Sequence, residues 1–163
     1  EKVSDCKIIL YNFERLSGYK FSEECVKNLV DFFPENIIGV KDSSYNLFEK
    51  LKIKNFSILP GSELKLLKGL QIGCTGIITA TCNVTASLSR KVYDDFVNNK
   101  AQTYNNKLCD IRMAFDKFNL ISGIHSFLSE KDDSFKNLIP PLNLLNDIDK
   151  KKLLEELKKL DFN

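Results

Sequence analysis

The sequence lacks tryptophan and contains one histidine, His125, and one methionine in 163 residues. With one imidazole, a zinc site or a Cys–His or Ser–His nucleophile would depend on that residue alone. We therefore expect no metal site, and we interpret His125 as structural. Five cysteines are scattered without a CxxC pair, which favours buried thiols in a reducing compartment over a disulfide framework. We expect a cytoplasmic protein.

Long apolar runs and an excess of one charge are also missing. The 24 basic and 22 acidic residues give a net charge of +2, a balance that does not indicate nucleic-acid binding. No apolar run approaches the roughly 20 residues that a membrane helix needs, and no secretory signal pattern is visible. We expect neither a membrane nor a nucleic-acid partner.

Four short apolar runs alternate with helical patterns in the first half of the chain. The runs are Lys7–Phe13, Asn36–Lys41, Phe56–Gly61 and Thr75–Thr81. Uninterrupted apolar strands separated by helices predict a parallel sheet with helices on its faces, which is an α/β fold.

Capping residues predict where the intervening helices begin. Ser22 precedes a helical stripe that Pro34 ends. A short helix is predicted over Asp42–Leu51, with Asp42 as its N-cap. Ser62 starts a third helix, whose predicted buried side carries Leu64, Leu67, Leu70 and Ile72.

The rhythm changes after the fourth run. Residues 87–99, 101–118, 120–130 and 147–160 all have helical patterns, and residues 138–145 form an extended break. Four strand–helix units fit either a four-stranded open sheet or half of a (β/α)8 barrel, which typically needs about 250 residues. In both architectures, ligands bind at the C-terminal ends of the strands.

Polar residues concentrate at those strand ends, and the stretch "IIGVKDSS" is the clearest case. Lys41 is either a solvated strand-end lysine or a partly desolvated amine that can attack a ketone. Tyr11, at the end of the first strand, is either a phenol in water or a proton carrier for such an amine. The residues alone leave both pairs of interpretations open.

Four motifs together resemble one family. "IILYNF" followed by "SG", then "NIIGVKDSS", "LPGSE" and "GIITATCNV" are similar in order and spacing to the second half of the dihydrodipicolinate synthase / N-acetylneuraminate lyase family. The resemblance covers essentially the whole chain. It implies a (β/α)8 TIM barrel of which residues 1–84 supply strands five to eight and residues 85–163 supply the C-terminal helices that pack on the barrel.

The resemblance also implies residue roles. Lys41 corresponds to the lysine that forms a Schiff base with pyruvate or another 2-keto acid, and Tyr11 to the proton-shuttling phenol. Four further positions correspond to substrate contacts: Ser43, Gly61, Glu63 and Ile78. The implied enzyme is a class I aldolase or lyase that needs no cofactor, because the covalent imine with Lys41 accepts the electrons.

Departures from the family pattern bear on the substrate. Where dihydrodipicolinate synthases carry an arginine before "TG", this chain has Leu16, and its "LSG" resembles the lyases. Ala80 replaces a lyase serine and Leu64 follows Glu63 where lyases carry a second acid, so a shorter 2-keto-3-deoxy sugar acid fits the site better than a nine-carbon sugar. The expected substrate is a 2-keto-3-deoxy sugar acid or an N-acetylneuraminate-type compound. The alternatives are a 4-hydroxy-tetrahydrodipicolinate synthase and a non-catalytic barrel remnant that binds a 2-keto acid.

The resemblance further implies partners. The family's first four strands hold the loops that bind the pyruvate carboxylate, and nothing in this chain resembles them. We therefore expect a missing N-terminal half-barrel as a partner and a homo-oligomer, commonly a tetramer. The start at Glu1 without a methionine indicates a processed product, an expression fragment or a piece of something longer. Because a half barrel would leave sheet edges uncovered, we expect the chain to be part of a longer protein or to pair with its other half, and we do not expect it to be a competent enzyme alone.

Overall fold

The computed structural model describes residues 5–163. The chain divides into two compact units, the first extending to Ile78 and the second spanning Thr79–Asn163. The predicted functional division at residues 84 and 85 stays a prediction, and residues 1–4 of its first part lie outside the described residues. Within residues 5–163, no helix combines the length and the apolar character needed to cross a membrane.

The first unit is built on a parallel three-stranded sheet in the order β1-β2-β3. Its elements are β1 (Ile8–Asn12), α1 (Glu14–Ser17), α2 (Glu23–Phe32), β2 (Ile37–Asp42), β3 (Ser57–Pro60), a 3₁₀ turn (Glu63–Lys65) and α3 (Leu66–Gln71). The predicted cap of α2 is confirmed, since the Ser22 hydroxyl accepts a hydrogen bond from the Cys25 N–H at 3.0 Å.

One face of this sheet forms the core of the unit. Leu10, Val40 and Ile58 are register partners across the three strands, and they pack with Val26 of α2 in one apolar cluster. Because successive side chains of a strand point to opposite faces, Lys41 lies on the other face of the sheet.

The fourth predicted strand is wrong at the level of secondary structure. The Thr75 N–H donates to the Ile58 carbonyl at 3.1 Å, and the Ile78 N–H donates to the Pro60 carbonyl at 3.2 Å. From Ile58 to Pro60, β3 advances by two residues, whereas the facing segment advances by three, from Thr75 to Ile78. The extra residue interrupts the regular hydrogen bonding of a parallel strand pair. The interruption includes Gly76, whose φ of +152° is open to glycine and strained for other residues.

Two details of the predicted helices are also wrong. Residues 43–50 form bends and turns instead of a helix, and Tyr45 adopts a left-handed φ of 57° that interrupts any helix there. Leu64 is exposed, whereas Glu63 and Leu66 are buried. The reason is that a 3₁₀ turn precedes α3, so the buried stripe is out of phase with the α-helical spacing assumed from Ser62.

The second unit consists of helices, as predicted. They are α4 (Cys82–Val97), α5 (Asn105–Asp116), α6 (Leu120–Leu128) and α7 (Asp147–Lys159), with a 3₁₀ turn at Asp133–Lys136. Residues 138–145 are non-helical, in agreement with the predicted break. Helices α5, α6 and α7 enclose a core that includes Phe115, Phe127 and Leu153.

Candidate active site

Tyr11 and Lys41 face each other on neighbouring strands. They are register partners in the parallel pairing of β1 and β2, and each is the next-to-last residue of its strand. The Lys41 Nζ lies 4.0 Å from the centroid of the Tyr11 ring, within the range of a cation–π contact. The structure therefore brings these two residues together at the C-terminal ends of the strands.

The surroundings of the pair are partly apolar and partly open. Lys41 is half-buried, while Tyr11 keeps 45 % of its surface exposed. The ring of Phe13 lies 5.7 Å from that of Tyr11, centroid to centroid. The Lys41 side chain thus lies over the Tyr11 ring, and a dissolved molecule can still reach the exposed part of that ring.

Ser43 and Gly61 meet just beyond the ends of β2 and β3. The Ser43 N–H donates to the Asn12 carbonyl at 2.9 Å, and the Gly61 N–H donates to the Asp42 carbonyl at 3.0 Å. A Cβ on Gly61 would lie 2.3 Å from the Ser43 Oγ and 3.1 Å from its Cα. The absence of a Cβ on Gly61 therefore leaves the space that the Ser43 side chain occupies.

Ile78 and Glu63 have different surroundings. Ile78 is 39 % exposed, and its N–H bonds to Pro60 beside the end of β3. Glu63, at the start of the 3₁₀ turn, has no exposed surface. In this arrangement a dissolved molecule can contact Ile78, whereas the Glu63 carboxyl is enclosed by protein.

A group of hydrogen-bonded polar side chains lies on the core face of the sheet, next to the pair. It includes Asn46, which the sequence analysis did not single out. The side chains of Asn12 and Asp42 are fully buried and share a hydrogen bond of 2.7 Å. The partly buried Asn46 accepts a second bond from the Asn12 amide at 2.8 Å. The signal in the sequence is that Asn12 and Asp42 each occupy a core-facing strand position where an apolar residue would be usual.

The Cys74 thiol and the Glu49 carboxyl of the first unit have shifted pKa values, and neither residue is a predicted site residue. Burial raises the pKa of the Cys74 thiol, whose Sγ lies 3.7 Å from the Phe48 carbonyl oxygen. A hydrogen bond from Lys68 lowers the pKa of the Glu49 carboxyl. Among residues 5–163, no three His, Cys, Asp or Glu side chains group as metal ligands would.

The sequence matches relatives over most of its length. The profile of the Dihydrodipicolinate synthetase family matches residues 2–160. An uncharacterized DapA-like lyase of Halobacterium salinarum is 26 % identical over 163 residues, which is 96 % of this chain and 53 % of the relative. A 4-hydroxy-tetrahydrodipicolinate synthase of Wigglesworthia glossinidia brevipalpis is 36 % identical over 90 residues, 52 % of this chain and 30 % of the relative. The chain thus spans about half the length of this Halobacterium relative.

Solved structures share the fold. YagE from E. coli K12, a member of the dihydrodipicolinic acid synthase family solved with pyruvate, superposes with a TM-score of 0.84 at 24 % identity, covering 96 % of this chain and 57 % of YagE. The enzyme of Cyanidioschyzon merolae, solved with lysine bound, gives 0.86 at 16 % identity, covering 98 % and 56 %.

These superpositions confirm the predicted fold class, which is α/β and corresponds to the second half of a (β/α)8 barrel with its C-terminal helices. The family profile covers all but a few terminal residues, and the facing Tyr11 and Lys41 lie within that match. The chain belongs to the dihydrodipicolinate synthetase family.

Proposed function

We propose that this chain carries the covalent half of the active site of a class I aldolase or lyase, which forms or cleaves a carbon–carbon bond between pyruvate and an aldehyde. The observation that carries the proposal is the Lys41 amine, 4.0 Å from the Tyr11 ring centroid at the strand ends where barrel enzymes bind ligands. Lys41 is the Schiff-base nucleophile and Tyr11 the proton carrier.

The proposed chemistry begins at C2 of pyruvate. The free Lys41 amine attacks this carbon and gives a carbinolamine. The Tyr11 phenol passes a proton to the C2 hydroxyl, which leaves as water while the iminium C=N bond forms. The Tyr11 phenolate left by this transfer takes a proton from C3, and the C–H electron pair moves into the iminium and yields an enamine, so these steps need no metal or organic cofactor.

Carbon–carbon bond formation completes the sequence. The enamine C3 attacks the aldehyde carbon, whose oxygen takes up a proton. Water then adds to the iminium and releases the 2-keto acid product, which returns the Lys41 amine. Cleavage runs through the same steps in reverse.

The substrate side of the proposed site is formed by Ser43, Gly61 and Ile78. Support comes from the close approach of Gly61 to Ser43 and from the exposed side chain of Ile78. Glu63 is proposed as a further contact, and because it is enclosed its carboxyl has to become accessible in the complete site. The proposed substrate is a 2-keto-3-deoxy sugar acid or an N-acetylneuraminate-type compound.

A second candidate is 4-hydroxy-tetrahydrodipicolinate synthase. It is favoured by the name of several curated relatives, among them the one that is 36 % identical. By the resemblance to these synthases, Leu16 occupies the position where they carry an arginine. It is uncharged and 74 % exposed. This residue weakens the case for an aldehyde that bears a carboxylate.

The open side of the first unit supports a partner. In the described residues, β1 is an edge strand, and Ile9 within it is 41 % exposed. We assign this edge to an N-terminal half-barrel, because the chain spans 53 % of the Halobacterium lyase and open sheet edges are normally paired or covered. The assembled protein is proposed to be a cytoplasmic homotetramer, and five scattered cysteines without a CxxC pair fit a reducing compartment.

Trapping with pyruvate and sodium borohydride tests the reaction. The 163-residue chain and the longest natural polypeptide that contains it are each incubated with both reagents, and adducts are located by intact mass and peptide mapping. We expect a reduced pyruvyl adduct on Lys41 in the longer polypeptide and little in the short chain. Lys41→Arg should abolish the adduct, whereas Lys50→Arg, a change at an exposed lysine, should not.

Aldehydes then separate the candidates. D-glyceraldehyde should be consumed faster than L-aspartate 4-semialdehyde if the substrate is a sugar acid. The order should reverse for a synthase, because the amino group of that semialdehyde supplies the ring nitrogen of the product. A longer polypeptide that binds pyruvate without any adduct would establish the non-catalytic barrel remnant instead.

A further inference from the structure

A hydrogen-bonded clamp lies under the strand ends of the first unit. We define the clamp as the side chains of Asn12, Asp42 and Asn46. The Asn12 Nδ2 donates to the Asp42 Oδ1 at 2.7 Å and to the Asn46 Oδ1 at 2.8 Å. The Asn12 Oδ1 accepts the Phe21 N–H at 3.0 Å. Both amide hydrogens and the oxygen of Asn12 are therefore used.

The clamp also fastens the two loops that follow the strands. The Asp42 Oδ2 accepts the N–H groups of Leu47 and Phe48, each at 2.9 Å. The Asn46 Nδ2 donates to the Phe21 carbonyl at 2.9 Å. A buried polar network with every member satisfied is rigid and specifies one arrangement.

The clamp lies next in the chain to the proposed catalytic pair. Asn12 follows Tyr11 and Asp42 follows Lys41, and the two couples are adjacent rungs of the same parallel ladder. Because neighbouring strand residues point to opposite faces, the clamp is on the core face and the pair is on the open face. The bond between Asn12 and Asp42 limits how far the two strand backbones can slide or separate at Tyr11 and Lys41.

Loop fastening alone would not require Asn12 to bond directly to Asp42. The bonds from Leu47 and Phe48 hold one loop to β2, and the bond from Phe21 holds the other to β1. The direct 2.7 Å bond adds a link between the strands themselves, one residue from the Lys41–Tyr11 contact.

We infer that Asn12, Asp42 and Asn46 are positioning residues that hold the Lys41 amine over the Tyr11 ring. The inference rests on the proposed function for its catalytic meaning, since it assigns the clamp to the geometry of that same pair. The predicted geometry can be measured without catalysis.

The test uses the ring current of Tyr11 as a gauge. Reductive methylation with ¹³C-formaldehyde converts the lysines to dimethyl-lysines, which keep their charge. A methyl group above an aromatic face resonates upfield, so the Lys41 signal should be displaced from the other lysines. Lys41→Arg identifies the signal by its loss, and Tyr11→Leu gives its position without the ring.

Asn12→Ala should move the Lys41 signal toward its position in Tyr11→Leu. The matched control is Ser22→Ala, which removes one hydrogen bond at the start of α2 in the same unit and should leave the displacement intact. Asn46→Ala is a milder variant, because Asn46 is only partly buried and the Asn12–Asp42 bond remains. It should give an intermediate shift in a folded protein.

A full displacement of the Lys41 signal in folded Asn12→Ala or Asn46→Ala protein would overturn the inference. Pyruvate trapping in the longest natural polypeptide supplies a second readout: Asn12→Ala should slow adduct formation about 10- to 100-fold through misplacement of the amine, and Ser22→Ala should not slow it. If neither the parent polypeptide nor any variant forms an adduct, the proposed function fails. The spectra still decide whether the clamp positions Lys41.

Discussion

The two units of the chain differ in how completely their apolar surfaces are buried. In the helical unit, apolar side chains from α5, α6 and α7 form a closed cluster in which Phe115, Ile111 and Leu153 have no exposed surface, although each helix also carries one exposed apolar side chain outside the cluster. In the sheet unit, only the core face of the sheet is covered. Beside Lys41 on the open face, Ile9 and Tyr11 remain 41 % and 45 % exposed.

The difference indicates which unit is stable by itself and which unit carries the proposed site. A cluster closed within its own unit supplies stability without any partner. An exposed apolar surface with a few polar groups is typical of a binding site. The polar groups at the strand ends, Lys41 and Ser43, lie in the unit whose apolar surface is incomplete.

The largest expected effect breaks the closed core. Phe115→Ala removes a ring that contacts Phe127 edge to face at a centroid distance of 5.9 Å. We expect the free energy of unfolding of the helical unit to fall by about 3–5 kcal/mol, the usual cost of such a cavity. Urea denaturation followed by circular dichroism at 222 nm measures it.

Phe32→Ala is the control for this substitution. Phe32 is 77 % exposed in the sheet unit, so its removal should change the free energy of unfolding by no more than about 0.5 kcal/mol. Equal losses from the two variants would contradict the contrast between a closed and an open unit.

A glycine-to-alanine substitution should lower the stability of the sheet unit at one position and raise the stability of the helical unit at another. Gly61→Ala places a Cβ 3.1 Å from the Ser43 Cα, and such overpacking costs about 1–3 kcal/mol. Gly123→Ala, within α6, places a Cβ 3.5 Å from the Phe115 ring, an ordinary contact. The gain in helix propensity should stabilise the helical unit by about 0.5–1 kcal/mol.

Thermal unfolding of the two alanine variants tests this pair. The melting temperature should fall for Gly61→Ala and rise for Gly123→Ala. A rise for both would mean that Ser43 yields without cost, and the close approach of Ser43 to Gly61 would then have no role in shaping the site.

The smallest expected effect is a pH dependence in the helical unit. Asp132 caps the 3₁₀ turn by accepting the Ser134 N–H at 2.9 Å, and this backbone hydrogen bond lowers the pKa of the Asp132 carboxyl. A lowered pKa means that the folded state binds the proton less readily than the unfolded state. The cap therefore stabilises above the ordinary aspartate pKa of about 3.9, and this contribution is lost as pH falls through the folded-state value.

Asp132→Asn keeps the cap oxygen and removes the charge. The difference in melting temperature between the parent and this variant should shrink as pH is lowered from 7 toward 3. Asp110→Asn, at an exposed acidic residue of α5, serves as the reference. A difference that stays constant with pH, or grows as pH falls, would contradict the assigned cause.

Much of the local structure follows from short-range rules. Ser22 caps α2 because its hydroxyl reaches the third N–H that follows it, and the strands form where apolar residues run without interruption. Tyr11 and Lys41 each precede a loop, and that position placed both at the C-terminal ends of their strands. These features depend on neighbours within a few residues.

Other features depend on distant parts of the chain. Residues 43–50 were predicted to be helical, yet the Asp42 carboxyl binds the N–H groups of Leu47 and Phe48 across a turn and links to Asn12 on another strand. The segment after α3 was predicted to be a strand, but the extra residue opposite β3 interrupts its ladder. Neither outcome is visible in the residues of the segment itself.

By itself, the sequence determined three of the four predicted strands, the helices of the second unit, the α/β class, and the pair of residues that resembles a Schiff-base site. Tertiary structure alone decided that the amine rests over the tyrosine ring, that Asn46 joins the buried amides, and that Glu63 is enclosed. The physical reason is range. Strand and helix preferences arise from the backbone and adjacent side chains, whereas burial and hydrogen-bond partners depend on which strands become neighbours.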